Sequence, residues 1–192
     1  MAPRADAVRD GVQEPPEQPT HRVSAVDGRS LRTVCGMFVT GVTVISAGDG
    51  QSVDGTTVNS FSSVSLDPPL VLFCIHRDSR LRTELARTGR FAVNLLARRH
   101  ERLARDFARQ APGEERIFSH RSRRGVPVLG ESLAYLDCDI YAEYPGGDHA
   151  IIVGEVVELG THRRRQEPLT FFEGSFGKLE EELRAVLARW DG

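Results

Sequence analysis

The stretch Gly55-Thr56-Thr57-Val58-Asn59-Ser60-Phe61-Ser62-Ser63-Val64-Ser65-Leu66-Asp67-Pro68-Pro69 decides how the rest of the chain is read. It begins as a strand, with β-branched Thr56, Thr57 and Val58, and Asp67-Pro68-Pro69 is expected to stop any regular ladder. Between these ends Thr57, Asn59, Ser60, Ser62, Ser63 and Ser65 place five hydroxyls and one amide within nine residues. A purely structural strand would carry more Val, Ile and Leu. Short neutral donors in this number suit a polar ligand that needs many hydrogen bonds. A half-exposed strand with Ser and Thr on its wet face has the same composition, and the residues alone leave both readings open.

Working outward, Leu70 to Ile75 is a continuous apolar run of strand length, expected to be buried on both sides. It leads into His76-Arg77-Asp78-Ser79-Arg80 and a short helix over about 79–88, capped by Asp78 or Ser79 and stopped before Gly89, with Leu81 and Leu85 inward. Phe91 to Leu96 is another buried strand, and a basic amphipathic helix over 98–109 turns Leu103 and Phe107 inward. Upstream, Ser30 is placed to cap a helix whose apolar stripe (Leu31, Val34, Cys35, Phe38, Val39) should cover a sheet or barrel. Val42 to Ser46 follows as a strand. Residues 110–131 lack periodicity and read as a surface excursion. Leu133 to Tyr144 and His149 to Leu159 form a hairpin across Pro145-Gly146-Gly147-Asp148. Leu169 to Phe172 is a short strand, and a final helix over about 178–190 aligns Leu179, Leu183, Val186, Leu187 and Trp190.

Short strands joined by hairpin turns, with few helices and no regular strand–helix alternation, predict a mainly β, antiparallel barrel with helical caps. Residues 1–27 hold four prolines among charged residues and read as a disordered leader, leaving 28–192 as a single domain. The net charge of −2 gives no reason to expect a nucleic-acid partner. Three widely spaced cysteines without a C-x-x-C pair argue against a disulfide framework and a zinc ribbon. With no apolar run of membrane-spanning length, the expectation is a soluble, cytoplasmic protein.

Three groups stand out as candidate chemistry: the opening stretch, the helix start at His76 to Arg80, and Gly146-Gly147-Asp148-His149 at a hairpin tip. A helix start with a hydroxyl and a cation suits a phosphate, although ordinary capping explains it equally well. Asp148 is placed to orient His149 and fix its tautomer, although Gly-Gly-Asp makes a hairpin unaided. The scattered histidines offer no metal-ligand spacing, and no local Ser–His or Cys–His pairing suggests a nucleophile. Many donors and few acid/base groups suit an enzyme whose cofactor carries the chemistry.

Thr57 to Leu72, Ser79-Arg80, Gly89 to Leu96 and Gly147-Asp148-His149 together resemble the flavin reductase family, the small NAD(P)H:flavin oxidoreductases that supply reduced flavin to two-component monooxygenases. The resemblance runs from about Leu31 to Gly177. It implies a split antiparallel β-barrel of the FMN-binding type, a homodimer, FMN or FAD near the dimer interface, NADH or NADPH as hydride donor, and a flavin-dependent monooxygenase as partner. It places Asn59, Ser60, Phe61 and Ser62 along the isoalloxazine and ribityl chain, with Thr57 and Ser65 close by. His76, Ser79 and Arg80 fall around the flavin phosphate. Gly147, Asp148 and His149 face the nicotinamide, with His149 as the catalytic candidate. Phe176 stands where relatives often carry Tyr, so no hydroxyl role is assigned there. Two rivals are a flavin-binding module or oxidase of the same fold that keeps its reduced flavin, and a non-enzymatic interaction protein using the C-terminal helix and the basic clusters at Arg98-Arg99-His100, Arg121 to Arg124 and His162 to Arg165.

Overall fold

The structure, a computed structural model, describes residues 25–49, 52–109, 118, 120–163 and 166–178. Most of the leader and nearly all of the predicted C-terminal helix therefore lie outside the described residues. The elements in chain order are α1 (Gly28–Gly36), β1 (Thr40–Gly41), β2 (Thr43–Gly48), β3 (Val53–Val58), β4 (Ser62–Leu66), β5 (Pro69–His76), α2 (Leu81–Thr88) and β6 (Arg90–Leu95). After a 3₁₀ turn at Arg98–His100 come α3 (Glu101–Ala108), β7 (His120–Arg121), β8 (Pro127–Val128), β9 (Ala134–Gly146), β10 (His149–Thr161), β11 (Thr170–Phe172) and β12 (Ser175–Gly177). The protein is mainly β, and every strand pair among the described residues is antiparallel.

The main sheet has seven strands in the order β3-β2-β6-β9-β10-β5-β4. Its two edge strands, β3 and β4, are consecutive in sequence and separated only by Asn59, Ser60 and Phe61. Such a link spans at most about 14 Å, so the sheet must curl until its edges nearly meet. No ladder joins β3 to β4 among the described residues, so the curl is not a hydrogen-bonded closed barrel. The expected single strand over the opening stretch is in fact two strands on opposite edges. Nor does Asp67-Pro68-Pro69 stop the ladder: Leu66 pairs with Pro69 across a two-residue turn, and β4 and β5 form a hairpin. Proline is tolerated there because Pro69 is the first residue of its strand.

Inside the curl, Ile45, Phe73, Ile75, Phe91, Val93, Cys138 and Ile152 form the core, closed at one mouth by Leu81 and Leu85 of α2. Phe73 and Phe91 meet edge-on with centroids 5.1 Å apart. The β5 run is not buried on both sides: Val71, Phe73 and Ile75 face inward, while Leu70, Leu72 and Cys74 are only half-covered. A second cluster lies under α3, where Phe107 packs with Val44, Leu96, Phe118, Leu129 and Leu169.

Three further expectations need correction. Asp27, not Ser30, caps α1, accepting from the backbone N–H of Arg29 and Ser30 at 2.9 and 2.7 Å. The apolar stripe of α1 covers nothing described: Leu31, Val34 and the following Phe38 are 57%, 64% and 76% exposed. Residues 120–131 are not a surface excursion, because Val126, Val128 and Leu129 are buried. What holds that segment is a set of single buried polar anchors on other strands. Fully buried Asn94 donates to Val44 O and Ser46 Oγ, and its Oδ1 accepts from Leu129 N at 2.8 Å. Ser46 donates to Pro127 O at 2.6 Å, and Ser122 donates to buried Asp137 at 2.6 Å. Burial pushes the Asp137 carboxyl above the usual carboxylate range.

Replacing Asn94 by Ala leaves the buried Leu129 N–H without its partner and removes the side-chain bonds to Val44 O and Ser46 Oγ. Urea unfolding should show a loss of about 3 kcal/mol, whereas a loss under about 0.5 kcal/mol would mean that Asn94 does not anchor the segment.

Candidate functional site

At the seam where the two sheet edges approach, Thr57, Asn59 and Ser60 meet His76, Ser79 and His149. These six line one cleft of about 310 Å³. Thr56, Val58, Cys74, Ile75 and Ala108 also line it, and no carboxylate is among its described lining residues.

Ser60 does structural work at this seam. Its Oγ accepts from Cys74 N at 2.9 Å and donates to Cys74 O at 3.2 Å. Ser62 pairs with Leu72 in the β4–β5 ladder, and two residues further along Cys74 finds no backbone partner on that side. One hydroxyl fills both positions of the missing rung as the chain crosses to β3. Thr57 is similarly engaged, donating to Ala104 O of α3 at 2.8 Å. This bond sets α3 against β3 and brings Ala108 into the cleft wall.

The opposite wall is the joined ends of β5 and β10. His76 and His149 are register partners, with rings edge-on and centroids 5.3 Å apart. His76 Nδ1 accepts from Asp78 N at 3.2 Å, which places that ring's proton on Nε2. His149 Nδ1 lies 2.7 Å from Asp148 Oδ1, so Nε2 is the nitrogen left for a ligand. The hydrogen bond from His149 holds the Asp148 carboxyl below its usual range. A depressed carboxylate pKa keeps this pair intact through neutral pH and loses it only on acidification through the lowered value. The turn itself is fixed by Gly147 at φ 74° and by Arg77 N donating to Asp148 O at 3.1 Å.

Ser79 stands where β5 passes into α2. Neither it nor Asp78 caps that helix: Arg80 occupies the cap position and makes no side-chain capping bond to the helix start. The Ser79 hydroxyl is sealed from solvent yet has no hydrogen-bond partner.

Other expected residues lie outside the cleft lining. Phe61 packs against the inner core. Ser62 donates to Ser63 O at 3.1 Å on exposed β4, and Ser65 accepts from Asp67 N at 3.2 Å in the β4–β5 turn. Arg80 lines a neighbouring cleft, while Gly147 and Asp148 act on His149 from the turn. Phe176 packs on Phe171, with the Arg105 guanidinium 4.8 Å over its ring. Sequence reasoning missed Cys74 and Ala108. Cys74 could have been found by alternation, since it shares the face of His76; an alanine at a helix end gives no signal. Among the described residues no three His, Cys, Asp or Glu side chains gather as a metal site, and no helix is long and apolar enough to cross a membrane.

Residues 35–180 match the family model described as flavin reductase like domain. This chain belongs to the flavin reductase family. It is 38% identical over 167 residues to the reductase subunit HsaB of a flavin-dependent monooxygenase from Rhodococcus jostii, covering 86% of this chain and 85% of that protein. An NADH-dependent flavin reductase from a Rhodococcus species is 40% identical over 153 residues, or 78% of this chain and 85% of that one. Among solved structures, the NADH:FAD oxidoreductase SgcE6 of Streptomyces globisporus in complex with NAD and FAD fragments superposes with TM-score 0.76 at 36% identity, covering 83% of this chain and 99% of that chain.

Ser60→Ala orphans the N–H and C=O of Cys74 at once. Chemical denaturation should report a loss of about 1–3 kcal/mol, with Ser60→Thr recovering most of it. An Ala variant as stable as the parent would remove the rung assignment.

Proposed function

We propose that this flavin reductase family member is an NAD(P)H:flavin oxidoreductase that reduces FMN or FAD and passes the reduced flavin to a flavin-dependent monooxygenase. The observation that carries this reading is the seam cleft, whose described lining is rich in hydroxyl, amide and imidazole groups. The residues fit a flavin. The solvent-sealed, unpartnered Ser79 hydroxyl and the uncapped start of α2 offer a phosphate a donor and the positive end of a helix. Asn59 and backbone groups of the 59–61 link offer the donors and acceptors that the edge of an isoalloxazine needs, with Thr57 and Ser60 setting the walls. Phe61 holds the link from the core side, and His76, Ser79 and Arg80 surround the phosphate.

The chemistry supplied there is direct hydride transfer from nicotinamide C4 to flavin N5, which depends on stacking and alignment rather than on an acid/base pair. His149, held through Nδ1 by Asp148, presents Nε2 to position the nicotinamide. Gly147 allows the turn that places both, and His76 packs edge-on to keep the His149 ring in plane. The relatives named as NADH-dependent support NADH as donor.

The finer architecture is a split barrel, with the 59–61 link spanning the split. A homodimer accounts for the exposed apolar face of α1 at Leu31 and Val34 and for half-exposed Tyr144 beside the cleft strands. Residues 28–192 act as one domain in this reading, working in the cytoplasm.

Added flavin should bleach anaerobically on addition of NADH. His149→Ala should raise the NADH KM or lower kcat by about tenfold, the loss of one good positioning contact, with flavin affinity unchanged. Loss of flavin binding with unchanged turnover per bound flavin would refute the role given to His149.

A further inference from the structure

Between β6 and α3 the chain makes one tight turn, and its backbone N–H groups are closed one after another. Leu96 N donates to Val42 O at 3.0 Å, and Arg98 N donates to Glu167 O at 2.7 Å. Ala97, between them and only 2% exposed, donates instead to a side chain, His100 Nδ1 at 3.2 Å. That acceptor exists only while the imidazole is neutral. Accepting at Nδ1 puts the ring's own proton on Nε2, and Nε2 stands 3.4 Å from another donor, Arg99 Nε. His100 is therefore flanked by N–H groups on both sides.

The acids around the turn are engaged elsewhere. Arg99 holds Glu131 at 2.5 Å, Arg98 holds Glu167 at 3.2 Å, and Arg105 holds Glu101 at 2.7 Å. Among the described residues no carboxylate bonds the His100 ring. Burial and then the Arg99 charge hold the imidazole below the usual histidine range, against the pull of Glu131. A depressed value for a histidine gives stability that is whole at neutral pH and above. It is lost as the pH falls through the ordinary histidine value of about 6.5, because the unfolded chain takes up the proton first.

The effect reaches the seam cleft through α3, which begins at the residue after His100. Ala104 and Phe107 seat this helix in the second core cluster, Ala104 O accepts from Thr57 at 2.8 Å, and Ala108 lines the cleft. We propose that His100 is a positioning residue for the cleft: neutral, it locks the turn that seats α3, and protonated it frees the buried Ala97 N–H and loosens the wall, so that flavin affinity falls on acidification. This rests on the flavin reading of the cleft and adds a pH-sensitive element to it.

The test is titration of the full chain with FMN, followed by quenching of flavin fluorescence, at about pH 8 and about pH 5.5, on either side of the histidine range. His100→Asn keeps an oxygen that can accept from Ala97 N and cannot take up a proton; His100→Ala removes the acceptor at every pH. The imidazoles of the cleft and the phosphate of FMN are the same in all three proteins, so a difference between their profiles belongs to His100. On acidification the wild type should weaken about threefold to tenfold more than the Asn variant, the effect of one neutral hydrogen bond. At about pH 8 the Asn variant should match the wild type within about twofold, and the Ala variant should already be weakened about threefold to tenfold. Identical pH profiles for wild type and Asn variant, or an Ala variant with wild-type affinity at the higher pH, would overturn the proposal. Should the variants not fold, amide-exchange protection in the wild type decides: it should drop on acidification at Ala97 and through 101–104 while β5 and β6 hold, and a uniform change would overturn it. Failure of the wild type to bind FMN, FAD or riboflavin at either pH would instead sink the flavin reading, and this inference with it.

Discussion

Three residues join the two opposite edges of a seven-stranded sheet, and that constraint organises the molecule. With only Asn59, Ser60 and Phe61 between β3 and β4, the sheet has to curl, and the curl creates both the enclosed core and the seam beside it. The seam would leave the N–H and C=O of Cys74 without a ladder partner. The Ser60 hydroxyl takes both, so the chain can leave one edge and join the other without an orphaned backbone group. Phe61, next in sequence, turns into the core and fixes the link from the other side.

The cleft follows from that closure. Thr57 and Asn59 come from one edge, and His76, Ser79 and His149 from the far side of the sheet, so no single element contains the site. Its rigidity comes from backbone contacts: Arg77 N to Asp148 O ties the β9–β10 turn to the end of β5, and Thr57 to Ala104 O ties α3 to β3. Among the described lining residues, Asn59, His76, His149 and the Ser79 hydroxyl keep polar groups that are not spent on structure. A site in which some polar groups hold the frame and the others are left for a ligand suits chemistry that belongs to a bound flavin and nicotinamide.

Much of this was legible in the sequence because local patterns coincided with the final environment. That β5 and β6 are strands, the inward Leu81 and Leu85, the helix stop at Gly89 and the Gly147 turn all follow from local propensity and agree with the structure, although β5 is buried on one face only. What escaped was non-local. The rung made by Ser60 reaches a residue 14 positions away, and the anchors of 120–129 are Asn94, Ser46 and Asp137 on strands far along the chain. A periodicity argument cannot see a segment held by single polar bonds, so residues 120–131 looked like surface. The α1 stripe failed for the opposite reason. Its pattern is strongly amphipathic, but the surface that would cover it is not among the described residues. The donor-rich stretch was ambiguous on composition because most of its hydroxyls, Thr57, Ser60, Ser62 and Ser65, bond to the protein itself. The resemblance to flavin reductases supplied the cofactor.

The central claim is that the seam cleft aligns a nicotinamide and a flavin for direct hydride transfer. Anaerobic stopped-flow reduction of bound flavin by NADH deuterated at C4 tests it most directly. The account predicts that flavin absorbance bleaches with a primary isotope effect for one of the two deuterated faces, because His149 holds the nicotinamide in one orientation. Bleaching without an isotope effect on either face, under conditions where reduction is rate-limiting, or no NADH-dependent bleaching at all, would contradict it.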